Sequence, residues 1–387
     1  MTVVTGEWLS APGAQKVMGL LETAGFHAYA VGGCVRNALL NEPVADVDIS
    51  TDAHPETVSN LAKKAGLKVV PTGIEHGTVT VVADGVGYEI TTFRADVETD
   101  GRRAVVRFSD DITEDARRRD FTMNALYADR NGVVLDPLGG LPDLAARRLR
   151  FIEDAERRIK EDYLRILRFF RFFAWYGDPA EGMDAEALAA IASNLDGLAT
   201  LSRERVGTEL VKLLTAPDPV MAVAIMEQTG VLSAVLPGAI SKPLGPLTFN
   251  EEAMTLSPNG LRRLAVLGFF DGSTLRLSKV KQRQLAQYQS LMSSSEGPNE
   301  MAYKYGVEVA LDAIALRAAS LEQPASLPDL ETLQAASKQR FPIKAQDLMT
   351  DFSGAILGQK LKQLEERWVA SDFTLDKDAL LAKRNEG

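Results

Sequence analysis

The 387-residue chain has one cysteine, Cys34, and three histidines, His27, His54 and His76. One thiol excludes an intramolecular disulfide framework and any multi-cysteine zinc site. Three scattered histidines are too few for a histidine-rich metal centre. There is no run of about 18 apolar residues, and no basic-then-apolar segment opens the chain. The expected compartment is therefore the cytosol, with no membrane partner. Basic charge is also in deficit: 43 Lys and Arg against 53 Asp and Glu leave a net charge of -10. That balance argues against a protein that coats DNA, though not against nucleic acid held in one groove. Length and an ordinary 45% hydrophobic content suggest two or three globular domains.

The first third reads as mixed α/β. A helix is expected over 14–24 and stops at Gly25. Strands are expected over 27–31 and 44–50, with Gly32-Gly33 and a short helix to Leu40 between them. A helix over 55–65 precedes strands at 67–70, 78–83 and 87–93. The last two are joined by Asp84-Gly85, a hairpin signal. The sheet should have four or five strands, partly antiparallel. Residues 94–111 are polar and aperiodic and read as a mobile loop. From about residue 141 the chain turns helical, with helices expected over 153–176, 184–195, 203–215 and 219–228. The Pro-, Gly- and Ser-rich stretch 241–258 reads as a linker, and 293–299 as a second break.

The sharpest local feature is Ala45-Asp46-Val47-Asp48-Ile49. On a strand, Asp46 and Asp48 project to one face while Val47 and Ile49 face the core. Adjacent carboxylates repel unless a cation lies between them. Hard ions such as Mg²⁺ are commonly held by one or two carboxylates plus substrate phosphates. A lone D-x-D is more often an acidic strand end. About a dozen residues earlier, however, Gly32 and Gly33 lie between a strand and a helix start. Backbone N–H groups there can cradle an anion, and Arg36 can add a charged contact. Glu89, on another alternating strand, is a candidate third carboxylate or a solvated strand residue.

Two arginine clusters follow. Arg117 to Arg119 precede a segment, 120–126, that reads as an amphipathic helix. Asp162, Arg165 and Arg168 are spaced by three along a second helix, with Arg171 trailing. Surface ion pairs are the plain explanation. The chemical alternative is base reading. Adenine and cytosine each present an amino donor beside a ring-nitrogen acceptor, whereas guanine and uracil present the reverse. A fixed Asp/Arg pair would accept the first two and reject the others.

Taken together, VGGCVRNALL (31–40), DVDIST (46–51), GTVTVV (77–82), YEITTFR (88–94), RRDFTMNAL (118–126), DPLGG (136–140), EDYLRILRFFRF (161–172) and LSRERVGTEL (201–210) resemble class II CCA-adding tRNA nucleotidyltransferases and bacterial poly(A) polymerases. The resemblance covers roughly residues 28–215 and weakens beyond 240. It implies an α+β fold: a nucleotidyltransferase head with a mixed, partly antiparallel sheet (1–140), a helical neck and body with the base-reading helix (141–240), and a helical body and tail for tRNA (241–387). It implies that Asp46 and Asp48 hold Mg²⁺, with Glu89 the third catalytic carboxylate. Gly32, Gly33 and Arg36 would take the triphosphate and Arg119 the incoming nucleotide. Asp162 and Arg165 would read its base, supported by Arg168 and Arg171. Asn37 departs from the family's Val-Arg-Asp. No His-Asp dipeptide occurs, so an appended phosphohydrolase is not expected.

The implied activity is transfer of CMP and AMP from CTP and ATP to the 3′ end of tRNA, releasing pyrophosphate, with loop 94–111 a candidate to change shape between C and A addition. CC-only addition, A-only addition and poly(A) synthesis remain alternatives, although Glu75-His76-Gly77-Thr78 looks more like the CCA-adding version. A catalytically idle RNA-binding module and a transferase acting on a protein or antibiotic are rivals from other classes. Oligomeric state is not legible. Residues 147–171 hold nine Lys and Arg against five Asp and Glu, a local +4 in a chain of -10. RNA binding is therefore expected to be confined to a groove around the 162–171 helix.

Overall fold

The computed structural model describes residues 1–96 and 106–382. It divides into two compact units, Met1–Leu201 with Thr229–Val231, and Ser202–Gln228 with Leu232–Gly387.

The first unit is built on nine strands: β1 (Ala28–Val31), β2 (Asp48–Thr51), β3 (Lys68–Gly73), β4 (Thr78–Ala83), β5 (Val86–Thr92), β6 (Arg94–Asp96), β7 (Val106–Phe108), β8 (Tyr127–Ala128) and β9 (Val134–Leu135). Seven form one sheet in the order β3-β4-β5-β2-β1-β8-β9, while β6 and β7 pair separately. Only β2 and β5 run parallel within the large sheet. Their register sets Asp48 beside Glu89 and Ser50 beside Thr91. Alternation explains β4: Val79, Val81 and Ala83 are buried, while Thr78, Thr80 and Val82 are only partly so. Asp84 and Gly85 both have positive φ, as the tight β4–β5 hairpin requires.

Helices Pro12–Thr23 and Pro55–Lys64 pack on this sheet. The first lies so close that a Cβ at Gly13 would meet the Tyr88 hydroxyl at 2.8 Å. The other contact is aromatic. Phe121, Phe151, Phe169 and Phe172 join the sheet domain to helix Leu164–Tyr176, with centroids 5.0 Å apart for Phe121–Phe151 and 5.3 Å for Phe121–Phe172.

Several expectations are corrected. The sheet has seven strands, because β8 and β9 are two residues each and too short to show a period. Strand β2 starts at Asp48, so Asp46 and Val47 lie in the irregular approach to it. Residues 94–96 and 106–108 form a β-ribbon rather than loop, and the expected loop's centre, 97–105, lies outside the described residues. The RRDFTMNAL segment is no continuous helix: a helix over Ile112–Arg117 is followed by a 3₁₀ turn at Thr122–Asn124 and then β8. The helix expected over 153–176 is two, Ala155–Glu161 and Leu164–Tyr176, broken at Asp162.

The second unit is helical. The stretch expected as a linker contains helix Leu244–Ala253, which buries Leu244, Leu247, Asn250 and Glu251. Glu251 pairs with Arg262 at 2.8 Å and Arg263 at 2.7 Å, so this helix is tied into the core by buried charge. No helix among the described residues is long and apolar enough to cross a membrane.

Candidate active site

The site is built at the ends of β1, β2 and β5. Chain direction reverses after β1 at Gly32, with φ +71 and ψ -115, a conformation natural only to glycine. Helix Gly33–Leu39 starts there, with Gly33 as its first residue. A Cβ on Gly32 would lie 3.4 Å from Arg119 Nη1, so a guanidinium faces the turn.

Arg119 is held from three sides. Its Nε donates to the Tyr127 hydroxyl at 3.1 Å, and its Nη2 donates to Ser50 Oγ at 3.1 Å and Asp115 Oδ2 at 3.0 Å. Tyr127 in turn donates to Asp115 Oδ2 at 2.8 Å. Burial weakens the Arg119 charge, but Tyr127 and Asp115 outweigh it and raise the pKa. Among the described residues no acceptor engages Nη1, which leaves that nitrogen to the Gly32 turn.

Asp48 and Glu89 are register partners on adjacent strands, about 4.8 Å apart along the hydrogen-bonding direction. Asp46 lies two residues before Asp48 and is exposed, as is Glu89. The Asp48 carboxyl is raised above the usual range by partial withdrawal from water and by Glu89; Arg119 opposes the shift, and Asp46 adds to it. Asp48 therefore senses both neighbouring carboxylates and the Arg119 cation. Such a like-charge group favours a bound cation. Among the described residues no three His, Cys, Asp or Glu side chains converge into a ready-made metal cage. The donors are oxygen only and too few to enclose an ion, which fits a hard divalent cation completed by substrate phosphates.

Arg36 differs from the expectation. It is 6% exposed and turned into the protein. Its Nε donates to Asn37 Oδ1 at 3.2 Å, its Nη1 to Asn124 Oδ1 at 2.5 Å, and its Nη2 to Asn37 Oδ1 at 2.8 Å and the Tyr176 hydroxyl at 2.9 Å. The guanidinium also lies 4.1 Å from the Tyr176 ring centroid. Burial pulls its pKa below the usual arginine value, with Tyr176 opposing. Arg119 Nη1 thus faces Gly32, while Arg36, whose Nη2 would lie 3.8 Å from a Cβ on Gly33, also braces helix Gly33–Leu39 against helix Leu164–Tyr176. Asn37 uses both ends of its amide: Oδ1 accepts from Arg36, and Nδ2 donates to the Pro43 carbonyl at 2.8 Å. An aspartate could not make that donation, and Pro43 begins the approach to Asp46.

The brace continues through residues that sequence reasoning missed. Asn124 Nδ2 donates to Asp120 Oδ1 at 2.9 Å, and Asp120 Oδ2 accepts from Arg168 Nε at 2.7 Å and Nη2 at 2.5 Å. Asp120 is buried. Burial alone would raise its carboxyl, but Arg168, Asn124 and the Phe121 N–H hold it low. Arg171 sits 4.4 Å over the Phe172 ring. Ser50, Asp115 and Tyr127 were likewise missed. The four-residue spacing of Asp115 and Arg119 was the available signal.

Asp162 lies before its expected helix, not on it. Its Oδ1 accepts from Leu164 N–H at 3.1 Å and its carbonyl from Arg165 N–H at 2.9 Å, so it organises the helix start. Arg165 Nη1 donates to Glu161 Oε2 at 2.6 Å and the Arg158 carbonyl at 2.8 Å, and Nη2 donates to the Arg118 carbonyl at 3.1 Å. Among the described residues its Nε–H meets no acceptor. The Arg165 guanidinium is thus fixed by three acceptors, Glu161 and the Arg158 and Arg118 carbonyls, and Asp162 lies three residues earlier in the break before the helix.

Comparisons with known proteins show what the chain is similar to. A family model described as the poly A polymerase head domain matches residues 28–150. A second, described as "Probable RNA and SrmB- binding site of polymerase A", matches 182–242. The chain is 33% identical over 382 residues to the Mus musculus mitochondrial CCA tRNA nucleotidyltransferase 1, spanning 91% of this chain and 85% of that one. It is 43% identical over 231 residues to the CCA-adding enzyme of Leuconostoc citreum (strain KM20), spanning 59% of this chain and 55% of that one. Among solved structures, the Bacillus stearothermophilus CCA-adding enzyme in complex with CTP superposes with a TM-score of 0.74 at 27% identity, covering 97% of this chain and 96% of that one.

Proposed function

This chain belongs to the family of CCA-adding tRNA nucleotidyltransferases and poly(A) polymerases, and on that premise we propose that it adds C, C and A to the 3′ end of tRNA from CTP and ATP, releasing pyrophosphate. The observation that supports this best is the meeting of Asp48, Glu89, Arg119 and the Gly32 turn at one end of the sheet. Carboxylates for a metal and cations for a triphosphate are the two halves of a nucleotidyl-transfer site.

The family's reaction depends on a metal; Mg²⁺ is our specific assignment, held by Asp46 and Asp48. When bound, it supplies a lowered pKa for the tRNA 3′-hydroxyl and charge neutralisation for the leaving pyrophosphate. Glu89 raises the negative field that favours this cation. Backbone N–H groups after Gly32, with Arg119 Nη1, bind and orient the triphosphate in line with the attacking oxygen. Asp162 accepts from the exocyclic amine of cytosine or adenine, and Arg165 donates to the adjacent ring nitrogen. Guanine and uracil would oppose donor to donor and acceptor to acceptor there. Arg36, Asp120, Asn124, Arg168 and Arg171 position this reader relative to the sheet. The head is assigned to 1–140, the reading helix and RNA-binding surface to 141–240, and the tail to 241–387. A cytosolic setting belongs to this proposal.

Replacing the metal ligand tests it. Asp46→Ala should reduce nucleotide incorporation by about a thousandfold, a loss of several kcal/mol of charge stabilisation. Its tRNA affinity, read by anisotropy, should stay unchanged. Normal incorporation would remove Asp46 from the site.

A further inference from the structure

We propose that Gly197 is a positioning residue for nucleotide choice: its bare backbone seats the Tyr163 ring and thereby fixes the Asp162 carboxylate. The proposal rests on Asp162 reading the base. Gly197 lies in the 3₁₀ segment Leu195–Thr200, in the same unit as helix Leu164–Tyr176. A Cβ added there would overlap Cγ, Cδ1 and Cε1 of Tyr163, far inside the ~3.5–4.0 Å at which carbon atoms rest. Cγ lies on the χ2 axis, so turning the ring about χ2 cannot clear that overlap. Gly197 is not among the described residues with positive φ, so backbone freedom is not the reason for a glycine. The position uses the missing side chain.

The seat is itself held. Gly197 N–H donates to the Asn194 carbonyl at 3.2 Å, and the Gly197 carbonyl accepts from Thr200 Oγ1 at 2.7 Å. Asn194 Nδ2 donates to the Ala190 carbonyl at 2.8 Å. Gly197 and Leu198 are buried.

On the other side of the contact, Tyr163 occupies the break between Asp162 and helix Leu164–Tyr176. Helix Ala155–Glu161 has ended, and Asp162 is extended, with φ -154 and ψ 103. Asp162 Oδ1 accepts from Leu164 N–H at 3.1 Å, a bond that reaches across Tyr163. The Tyr163 carbonyl accepts from Ile166 N–H at 3.1 Å. A shift of the Tyr163 backbone therefore moves both ends of the bond that orients the reading carboxylate. Arg165 is fixed separately, by Glu161 and the Arg158 and Arg118 carbonyls. A displaced Tyr163 thus changes the spacing between the two members of the reading pair.

The test assays Gly197→Ala in the full chain with tRNA lacking CCA and each nucleoside triphosphate separately. The kcat/KM for GTP and UTP relative to CTP should rise about tenfold, as expected for a reading group moved by a fraction of its own reach. Affinity for tRNA without nucleotide should match the parent. Adding Gly197→Ala to Asp162→Ala should change the ratio no further than Asp162→Ala does. Tyr163→Phe should keep the parent's selectivity, since the ring and not the hydroxyl is seated. Tyr163→Ala should relax it, and Tyr163→Ala/Gly197→Ala should match Tyr163→Ala, because the added methyl then finds room. If Gly197→Ala does not fold, unchanged selectivity in Tyr163→Ala overturns the inference. A loss of thermal stability in Gly197→Ala with selectivity intact would also overturn it, leaving Gly197 a packing residue. Relaxed choice in Asp162→Ala beside parent-like choice in Gly197→Ala would leave the base reading standing without the seat. Parent-like choice in Asp162→Ala would refute the base reading and the inference with it.

Discussion

Removing the Asp120 carboxylate is the most informative structural perturbation. Asp120 is buried and sits between two parts of the first unit: Arg168 on the reading helix, and Asn124 and the Phe121 N–H beside the sheet. In Asp120→Ala, Arg168 loses both donations, and the Asn124 amide is left without the acceptor it uses. A charge-assisted bond contributes about 1.5–3 kcal/mol, and an orphaned buried donor costs about 1–3 kcal/mol. Because the Arg168 side chain keeps some contact with water, the expected loss is about 3–5 kcal/mol, within the range for breaking a buried pair. Chemical denaturation measures it. The pH dependence is also set. A carboxyl held low stabilises the fold above its unfolded pKa, about 3.9, and loses that contribution as pH falls through the lower folded value. The difference between parent and variant should therefore be constant from pH 5 to 8 and shrink only below about pH 4. Because Asp120 braces Arg168, nucleotide choice should also slacken in any folded fraction. A loss under about 1 kcal/mol with selectivity intact would refute the bracing argument.

Two further outcomes follow from the site. Arg165→Ala should relax the choice of nucleotide, with GTP or UTP incorporation rising by about 10–100-fold relative to CTP, because the fixed guanidinium is gone; unchanged A/C preference in a competition assay would remove the base-reading role. Gly32→Ala should cost about 1–3 kcal/mol of backbone strain and crowd Arg119 Nη1. A raised KM for CTP with unchanged tRNA affinity is expected, and wild-type kinetics would show that the turn does not hold the triphosphate.

Much of the sheet was legible because alternation writes itself into residues such as Val79, Val81 and Ala83, and because Asp84-Gly85 suits only a tight turn. The two-residue strands β8 and β9 leave no period to read. Helix Leu244–Ala253 was hidden by its prolines and glycine, although Leu244 and Leu247 share a face and Glu251 finds buried arginine partners. At the site, sequence showed which residue types were present but not where long side chains turn. Arg36 and Arg119 look equally fit for phosphate, and only the surrounding acceptors separate them. Asn124 and Tyr176 draw Arg36 inward, while Ser50, Asp115 and Tyr127 hold Arg119 at the glycine turn. Asp162 was placed on a helix that its own side chain instead begins.

The central claim is tested most directly by incubating the protein with Mg²⁺ and tRNA lacking its 3′ CCA, giving each nucleoside triphosphate separately and then CTP with ATP, and sequencing the product ends. The account predicts two C residues from CTP alone, a single A after them when ATP is added, and no extension with GTP or UTP. Extension by CTP alone without later A addition, a long run of A, or indiscriminate use of all four nucleotides would contradict it.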